Sequence, residues 1–208
     1  MSIYVISAAL IGSSYLLGSV SFGLIIARIV KGIDIREFAS GSTGATNVMR
    51  ACGWHWGILA MALDMLKAGV PLFIVIYIHD FGMASWTHPA IGLSAIFGHI
   101  WPIFTKFRGG KGIASGWSAL IVLSPLSGLI ATFCSFPFMV FTRYVSLGSI
   151  LGSLSGGLTV TVLSILGFCD SSYCVFGLVG SALTIWKHRD NINRLLNGTE
   201  RKIGVSND

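Results

Sequence analysis

Residues 113–143 read IASGWSALIVLSPLSGLIATFCSFPFMVFTR, an apolar run interrupted at Ser124-Pro125 and closed by Arg143. Proline lacks an N–H and disrupts a helix interior, so this dipeptide either kinks one long helix or divides two short ones. A bilayer-spanning helix needs about 20 apolar residues, with shorter ones tolerated where helices pack on one another. Five further segments qualify: Ile3 to Ala27, Trp56 to Ile78, Trp86 to Phe104, Leu147 to Phe168 and Cys174 to Trp186. The chain therefore carries six or seven spans, and the reading of Ser124-Pro125 decides which.

Charge separates the two counts, because Lys and Arg gather in cytoplasmic loops. With Ile113 to Leu123 and Leu126 to Phe141 as separate helices, thirteen of the fourteen basic residues fall on one side. Arg28, Lys31, Arg36 and Arg50 lie in the first loop, and Lys106, Arg108 and Lys111 in the third. Arg143 lies in the fifth, and Lys187, Arg189, Arg194, Arg201 and Lys202 in the tail, leaving only Lys67 inside a helix. The opposite loops, His79 to Ser85, around Pro125, and Asp170 to Tyr173, contain no Lys or Arg. Six helices would put Arg143 and the tail opposite the first loop. The expected fold is an all-α integral membrane protein, a seven-transmembrane-helix bundle over residues 1–208 as a single domain, with its N-terminus outside and its C-terminus cytoplasmic.

Composition points the same way. The 208 residues are 53% hydrophobic and 11% charged, against about a quarter charged for a soluble domain. Twenty-six glycines suit helices that associate by close backbone approach in lipid. The net charge of +6 is what basic cytoplasmic loops produce, so nucleic acid is not an expected partner. No Lys or Arg precedes Arg28, so the first helix lacks the basic start of a cleaved signal peptide and reads as retained. The cysteines read as unpaired small hydrophobes, with Cys169 and Cys174 close enough in sequence to pair across an outer loop. Scattered histidines, the absence of CxxC and unclustered carboxylates give no expected metal site.

Chemistry concentrates in the basic loops. The first reads Ser40-Gly41-Ser42-Thr43-Gly44-Ala45-Thr46-Asn47, followed by Arg50. Glycines let backbone N–H groups turn toward an anion, and the hydroxyls add donors. If Ala45 onward is helical, Arg50 shares a face with Thr46. The third loop carries Gly98-His99, Pro102 and then Arg108-Gly109-Gly110-Lys111-Gly112. It can close on a phosphate, but Thr105 and Gly112 stand where a Walker A loop needs glycine and Ser/Thr, which disfavours a nucleotide triphosphatase. His99 on its own reads as a packing histidine. The fifth loop offers Arg143 to Ser146. The seventh helix is expected to run on so that His188, Asn191 and either Arg194 or Leu195 share a face, with Gly198 as its C-cap. Asp64 and Lys67, three residues apart in the second helix, are placed to pair.

In order and spacing these segments resemble the bacterial acyl-phosphate-dependent glycerol-3-phosphate acyltransferases, the PlsY type. The stretches that carry the resemblance are Gly18-Ser19, Asp34 to Arg36, Ser40 to Arg50, Leu63-Asp64 with Lys67, Gly98-His99 with Pro102, Phe107 to Ala114, Arg143 to Ser146 and Lys187 to Glu200. The resemblance implies transfer of a fatty acyl group from acyl phosphate to the 1-position of glycerol 3-phosphate, at the cytoplasmic face of the bacterial inner membrane and without a cofactor. The products are lysophosphatidic acid and phosphate, and the implied partners are the two substrates and membrane lipids. It implies catalytic roles for Ser40, Arg50, Lys111 and His188. Substrate binding is implied for Gly41, Ser42, Thr43, Gly44, Thr46, Asn47, Arg108, Gly109, Gly110, Gly112, Ser146, Asn191 and Arg194. The chain departs from the family in having Ala39-Ser40-Gly41-Ser42 for Gly-Ser-Gly-Asn, Ser21 for a common proline, and Ala114-Ser115 for Ala-Thr.

The residues suit that reaction. Both substrates are anionic at the headgroup and one has a fatty tail, so cationic loops beside an apolar bundle match them. Phosphate is a good leaving group, so positioning and anion stabilisation can supply much of the rate. No histidine has Asp five positions later, which excludes the His-x-x-x-x-Asp acyltransferases. An organic-anion transporter would show a repeat and mid-bilayer charges. A lipid-binding subunit would leave four separate polar motifs unexplained.

Overall fold

The computed structural model of the chain describes residues 3–78 and 83–204, and within them every regular element is helical. Of the expected loop from His79 to Ser85, residues 79–82 lie outside the described residues. The chain divides into two compact units, Met1–Leu123 and Ser124–Asp208.

The first unit contains α1 (Ile3–Gly18), α2 (Phe22–Lys31), α3 (Ala45–Cys52), α4 (Trp54–Phe73), α5 (Thr87–Ile100) and α6 (Ile113–Leu123). The second contains α7 (Pro125–Thr142), α8 (Val145–Ile165), α9 (Tyr173–Trp186) and α10 (Arg189–Leu196). Helices thus occupy all seven apolar segments. At Ser124 the backbone is extended (φ −149°, ψ 92°), and α7 opens on Pro125, where the missing N–H is one that a first helical turn leaves unpaired anyway. Two separate helices flank the dipeptide. By length and composition, four stretches among the described residues can cross a membrane: Ile3–Lys31, Trp54–Ile78, Pro125–Thr142 and Val145–Ile165.

Three expected helix boundaries are corrected. The first segment is two helices, broken at Ser19 to Ser21 and continuing to Lys31, where Gly32 ends it in the left-handed conformation (φ 67°) and donates to Arg28 O at 3.0 Å. The break has a polar cause: the Val20 carbonyl accepts from Lys67 Nζ at 2.7 Å, and irregular backbone is tolerated at membrane depth only where such partners are supplied. The third segment stops at Ile100 because Pro102 biases the residue before it away from helix. The seventh stops at Trp186 rather than running on, and His188 becomes the residue that starts α10.

Small residues make the helix contacts. In the first unit, a Cβ on Gly18 would strike the Ala95 carbonyl and one on Gly98 the Tyr15 carbonyl, so α1 and α5 meet backbone to backbone. Across that seam Ser14 Oγ donates to Ile91 O at 2.9 Å, Ser94 Oγ to Ile11 O at 2.7 Å and Tyr15 Oη to Trp101 O at 2.9 Å. In the second unit, Gly148 and Gly152 bring α8 onto α7 at Ser135 and Ala131, and Gly157 and Gly177 bring α8 onto α9. Ser181 Oγ donates to Ser153 O at 2.8 Å across the latter seam. Such contacts are how helices associate where lipid removes the hydrophobic drive. Large side chains point outward instead, with Phe141 86% and Ile165 75% exposed, an apolar rim that suits lipid rather than water.

Candidate functional site

The first basic loop is shaped by Asn47, on the first turn of α3. Its side chain is 1% exposed, and its Nδ2 lies within donating distance of the carbonyls of Ile35 (3.1 Å), Phe38 (3.0 Å) and Ser42 (2.9 Å). Its Oδ1 accepts from the Ser40 N–H at 3.4 Å. A buried amide can supply two donors and an acceptor at once, and here all of it is committed to folding residues 35–47 into a closed turn. The expected substrate-binder Asn47 is thus placed as the loop's internal brace. Thr43 is also buried, with its carbonyl packed against the bare face of Gly23. Ser42 Oγ accepts the Gly44 N–H at 3.3 Å. Ser40, Gly41, Thr46 and Arg50 remain partly or fully exposed, and since α3 begins at Ala45, Thr46 and Arg50 do stand one helical turn apart.

Arg36 ties this loop to the third. Its Nε donates to Asp34 Oδ1 at 2.8 Å and its Nη1 to the Thr105 carbonyl at 3.1 Å. Hydrogen bonding from Arg36 outweighs burial and holds the Asp34 carboxyl well below the usual carboxylate range. The Gly-rich stretch that follows is laid against His99: the Gly110 N–H donates to His99 O at 3.0 Å, and the space for a Gly110 side chain is filled by the His99 ring. Arg108 is exposed, Lys111 half-buried. Beneath them Lys67 Nζ lies 2.7 Å from Asp64 Oδ1, the expected i,i+3 ion pair, in an approach that is electrostatic rather than a regular hydrogen bond. His99 joins that pair, its Nδ1 3.1 Å from Lys67 Nζ.

In the second unit the expected residues Ser146, Asn191 and Arg194 converge, and what they converge on is Glu200. Its Oε1 accepts from Ser146 Oγ at 3.0 Å and Asn191 Nδ2 at 2.7 Å, and its Oε2 from Arg194 Nε at 2.8 Å. The side chain is 4% exposed. Burial pushes this carboxyl's pKa up, but the donors from Asn191, Arg194 and Ser146 outweigh it and hold it below the ordinary value. Gly198 makes the contact possible. In the left-handed conformation (φ 69°) it lets the Gly198 N–H reach Leu195 O at 3.2 Å and the Thr199 N–H reach Arg194 O at 2.8 Å, the paired bonds of a Schellman C-cap. The chain then turns back so that Glu200 lies over α10, and the Ile203 N–H docks on Arg143 O at 2.9 Å. Sequence reasoning missed Glu200; the available signal was a lone acid among Arg194, Arg201 and Lys202. His188 is buried, and its Nδ1 lies 2.7 Å from Thr184 O. A carbonyl only accepts, so Nδ1 carries a proton and donates it to Thr184 O.

Comparison with known proteins places this arrangement. A family model described as glycerol-3-phosphate acyltransferase matches residues 8–198. The chain belongs to the glycerol-3-phosphate acyltransferase family. Among curated relatives so named, one from Halalkalibacterium halodurans is 42% identical over 195 residues, 94% of each chain. Another, from Aquifex aeolicus, is 40% identical over 189 residues, covering 91% of this chain and 95% of the relative. Two solved structures of PlsY, an integral membrane glycerol 3-phosphate acyltransferase, share the fold over 95% of this chain. The glycerol 3-phosphate form has a TM-score of 0.86 at 39% identity and is covered over 96% of its length. The lysophosphatidic acid form has a TM-score of 0.83 at 38% identity and is covered over 95%. Like these members of the family, the chain is a multi-pass membrane protein.

Proposed function

We propose that the protein transfers a fatty acyl group from acyl phosphate to the 1-hydroxyl of glycerol 3-phosphate, releasing phosphate and forming lysophosphatidic acid. The observation that carries this is the likeness, over nearly the whole of both chains, to a structure in its glycerol 3-phosphate form. The same proposal includes seven membrane crossings, a single acyltransferase domain over 1–208, an outer N-terminus, and basic loops and C-terminus at the cytoplasmic face of the inner membrane.

In this reading the glycerol hydroxyl oxygen bonds to the acyl carbonyl carbon as the bond from that carbon to the phosphate oxygen breaks. Negative charge grows on the carbonyl oxygen and on the departing phosphate, so donors held in place before reaction lower the barrier. Ser40, Arg50 and Lys111 supply such donors. Gly41, Ser42, Gly44, Thr46, Arg108, Gly109, Gly110 and Gly112 surround the anionic groups. Asn47 serves binding by holding the first loop closed, and Ser146, Asn191 and Arg194 act with Glu200 as one hydrogen-bonded unit. The hydroxyl proton passes to a phosphate oxygen of the substrate, and His188 orients the reactants through its Nε2 side.

Purified protein in detergent, given acyl phosphate and glycerol 3-phosphate without ATP or coenzyme A, should form acylglycerol phosphate and release phosphate in equal amounts. Product no higher than the blank overturns the proposal. Lys111→Ala should abolish turnover while His188→Ala retains a measurable rate; complete loss in His188→Ala with a folded protein would instead make the histidine the base.

A further inference from the structure

The membrane-buried trio Asp64, Lys67 and His99 lies outside every substrate contact proposed above, yet it is built against the Gly-rich loop. We propose that Lys67 and Asp64 lock His99 in the one orientation and tautomer that seats Gly109 and Gly110, making all three positioning residues for Lys111. The inference rests on the acyltransferase reading, in which that loop holds a substrate phosphate.

The geometry runs from the inside outward. A lysine ammonium has three donors and no acceptor. Lys67 directs two of them at the Val20 carbonyl (2.7 Å) and His99 Nδ1 (3.1 Å) and faces Asp64 Oδ1 as an ion pair at 2.7 Å. Nδ1 must therefore accept, which puts the ring proton on Nε2. The alternative, Nδ1 donating to Asp64 Oδ1, spans 3.5 Å, at the limit of a hydrogen bond. All three side chains are buried, so rotating the imidazole would cost Lys67 Nζ the acceptor at His99 Nδ1 where no water replaces it. The broken backbone at Ser19 to Ser21 belongs to the same construction, since it is what presents the Val20 carbonyl.

The ring so fixed is the surface on which the loop rests. His99 Nε2 occupies the place a Gly110 side chain would take, the Gly110 N–H donates to the His99 carbonyl at 3.0 Å, and a Cβ on Gly109 would strike that same carbonyl. Lys111 is the next residue. Where its backbone sits is thus decided by an imidazole whose own orientation is decided by Lys67.

A double-mutant cycle tests this in the purified protein, with KM for each substrate and kcat measured separately. His99→Ala should raise the KM of one phosphate substrate about tenfold and leave kcat and the other KM within about twofold, the pattern of lost uniform binding. Gly110→Ala should raise the same KM. Added to His99→Ala, however, it should raise that KM by less than about twofold, because the ring its methyl would strike is gone; contacting residues couple in this way. Lys67→Gln should likewise add nothing once His99 is absent. Additive effects, or a fall in kcat with both KM values unchanged, would overturn the inference. An inactive wild type would refute the acyltransferase reading instead. The Gly110/His99 cycle read on thermal unfolding in detergent would then still decide the packing relation, additivity again counting against it.

Discussion

Replacing Glu200 is the sharpest test of how the second unit is held together. Its carboxylate accepts from Ser146, Asn191 and Arg194 at 2.7–3.0 Å and is 4% exposed. Glu200→Ala leaves three donors, one of them cationic, without their acceptor. Arg194 keeps 30% of its side chain exposed, so the loss is nearer that of charged hydrogen bonds, about 2–3 kcal/mol, and at about 2–4 °C per kcal/mol for a chain of this size the unfolding midpoint should fall by roughly 4–12 °C. Glu200→Gln keeps an acceptor for Ser146 and Asn191 but turns an N–H toward Arg194 Nε, so it should lie between the two. The pH dependence follows from the direction of the shift. A carboxyl whose pKa is depressed in the folded state contributes stability that is present above its unfolded pKa of about 4.3. That stability is lost as pH falls through the lower folded value. Wild type should therefore lose stability below about pH 4, and Glu200→Gln should lose this part of the acid slope. Thermal unfolding followed by intrinsic fluorescence in detergent, from pH 3 to 8, measures both. A Glu200→Ala midpoint within about 1 °C of wild type, or an unchanged acid slope in Glu200→Gln, would refute the reasoning.

Three further outcomes are expected. Asn47→Ala strips the donor facing the Ile35, Phe38 and Ser42 carbonyls, so it should cost at least ~2 kcal/mol and lower acyltransferase turnover; chemical unfolding and the phosphate-release assay check the two effects together. Gly18→Ala should destabilise by about 1–3 kcal/mol through overpacking on Ala95, whereas Gly12→Ala, with nothing within 4 Å of the new methyl, should be neutral or stabilising by up to about 1 kcal/mol; paired unfolding midpoints compare them. Arg36→Lys keeps the charge beside Asp34 but loses the fork that also reaches Thr105, so proteolysis of the loop around residues 103–108 should quicken while the midpoint drops by only about 1 kcal/mol.

Much of this is legible in the amino-acid sequence. Apolar runs and scarce charge identified the solvent as lipid, and Ser124-Pro125 marked a helix boundary that the backbone confirms. The Asp64 and Lys67 spacing announced their ion pair, and Gly198 announced a C-cap. What could not be read were partnerships between residues far apart in the chain. Helical periodicity says which residues share a face but not what a face meets, so His188, Asn191 and Arg194 could be grouped while the acceptor that joins Asn191 and Arg194 to Ser146, 54 residues beyond Ser146, went unseen. A polar side chain in a glycine loop is equally suited to an anion or to its own backbone, so the bonds from Asn47 to the Ile35, Phe38 and Ser42 carbonyls were not legible either.

The sequence by itself therefore determined the lipid environment, the segments that become helices and the family, because these depend on composition, local propensity and ordered motifs. Tertiary structure alone decided the break at Ser19 to Ser21, the seating of the Lys111 loop on His99 and the Glu200 cluster. Each answers a demand that arises only after packing: once water is excluded, every buried donor and charge must find a partner wherever the fold provides one.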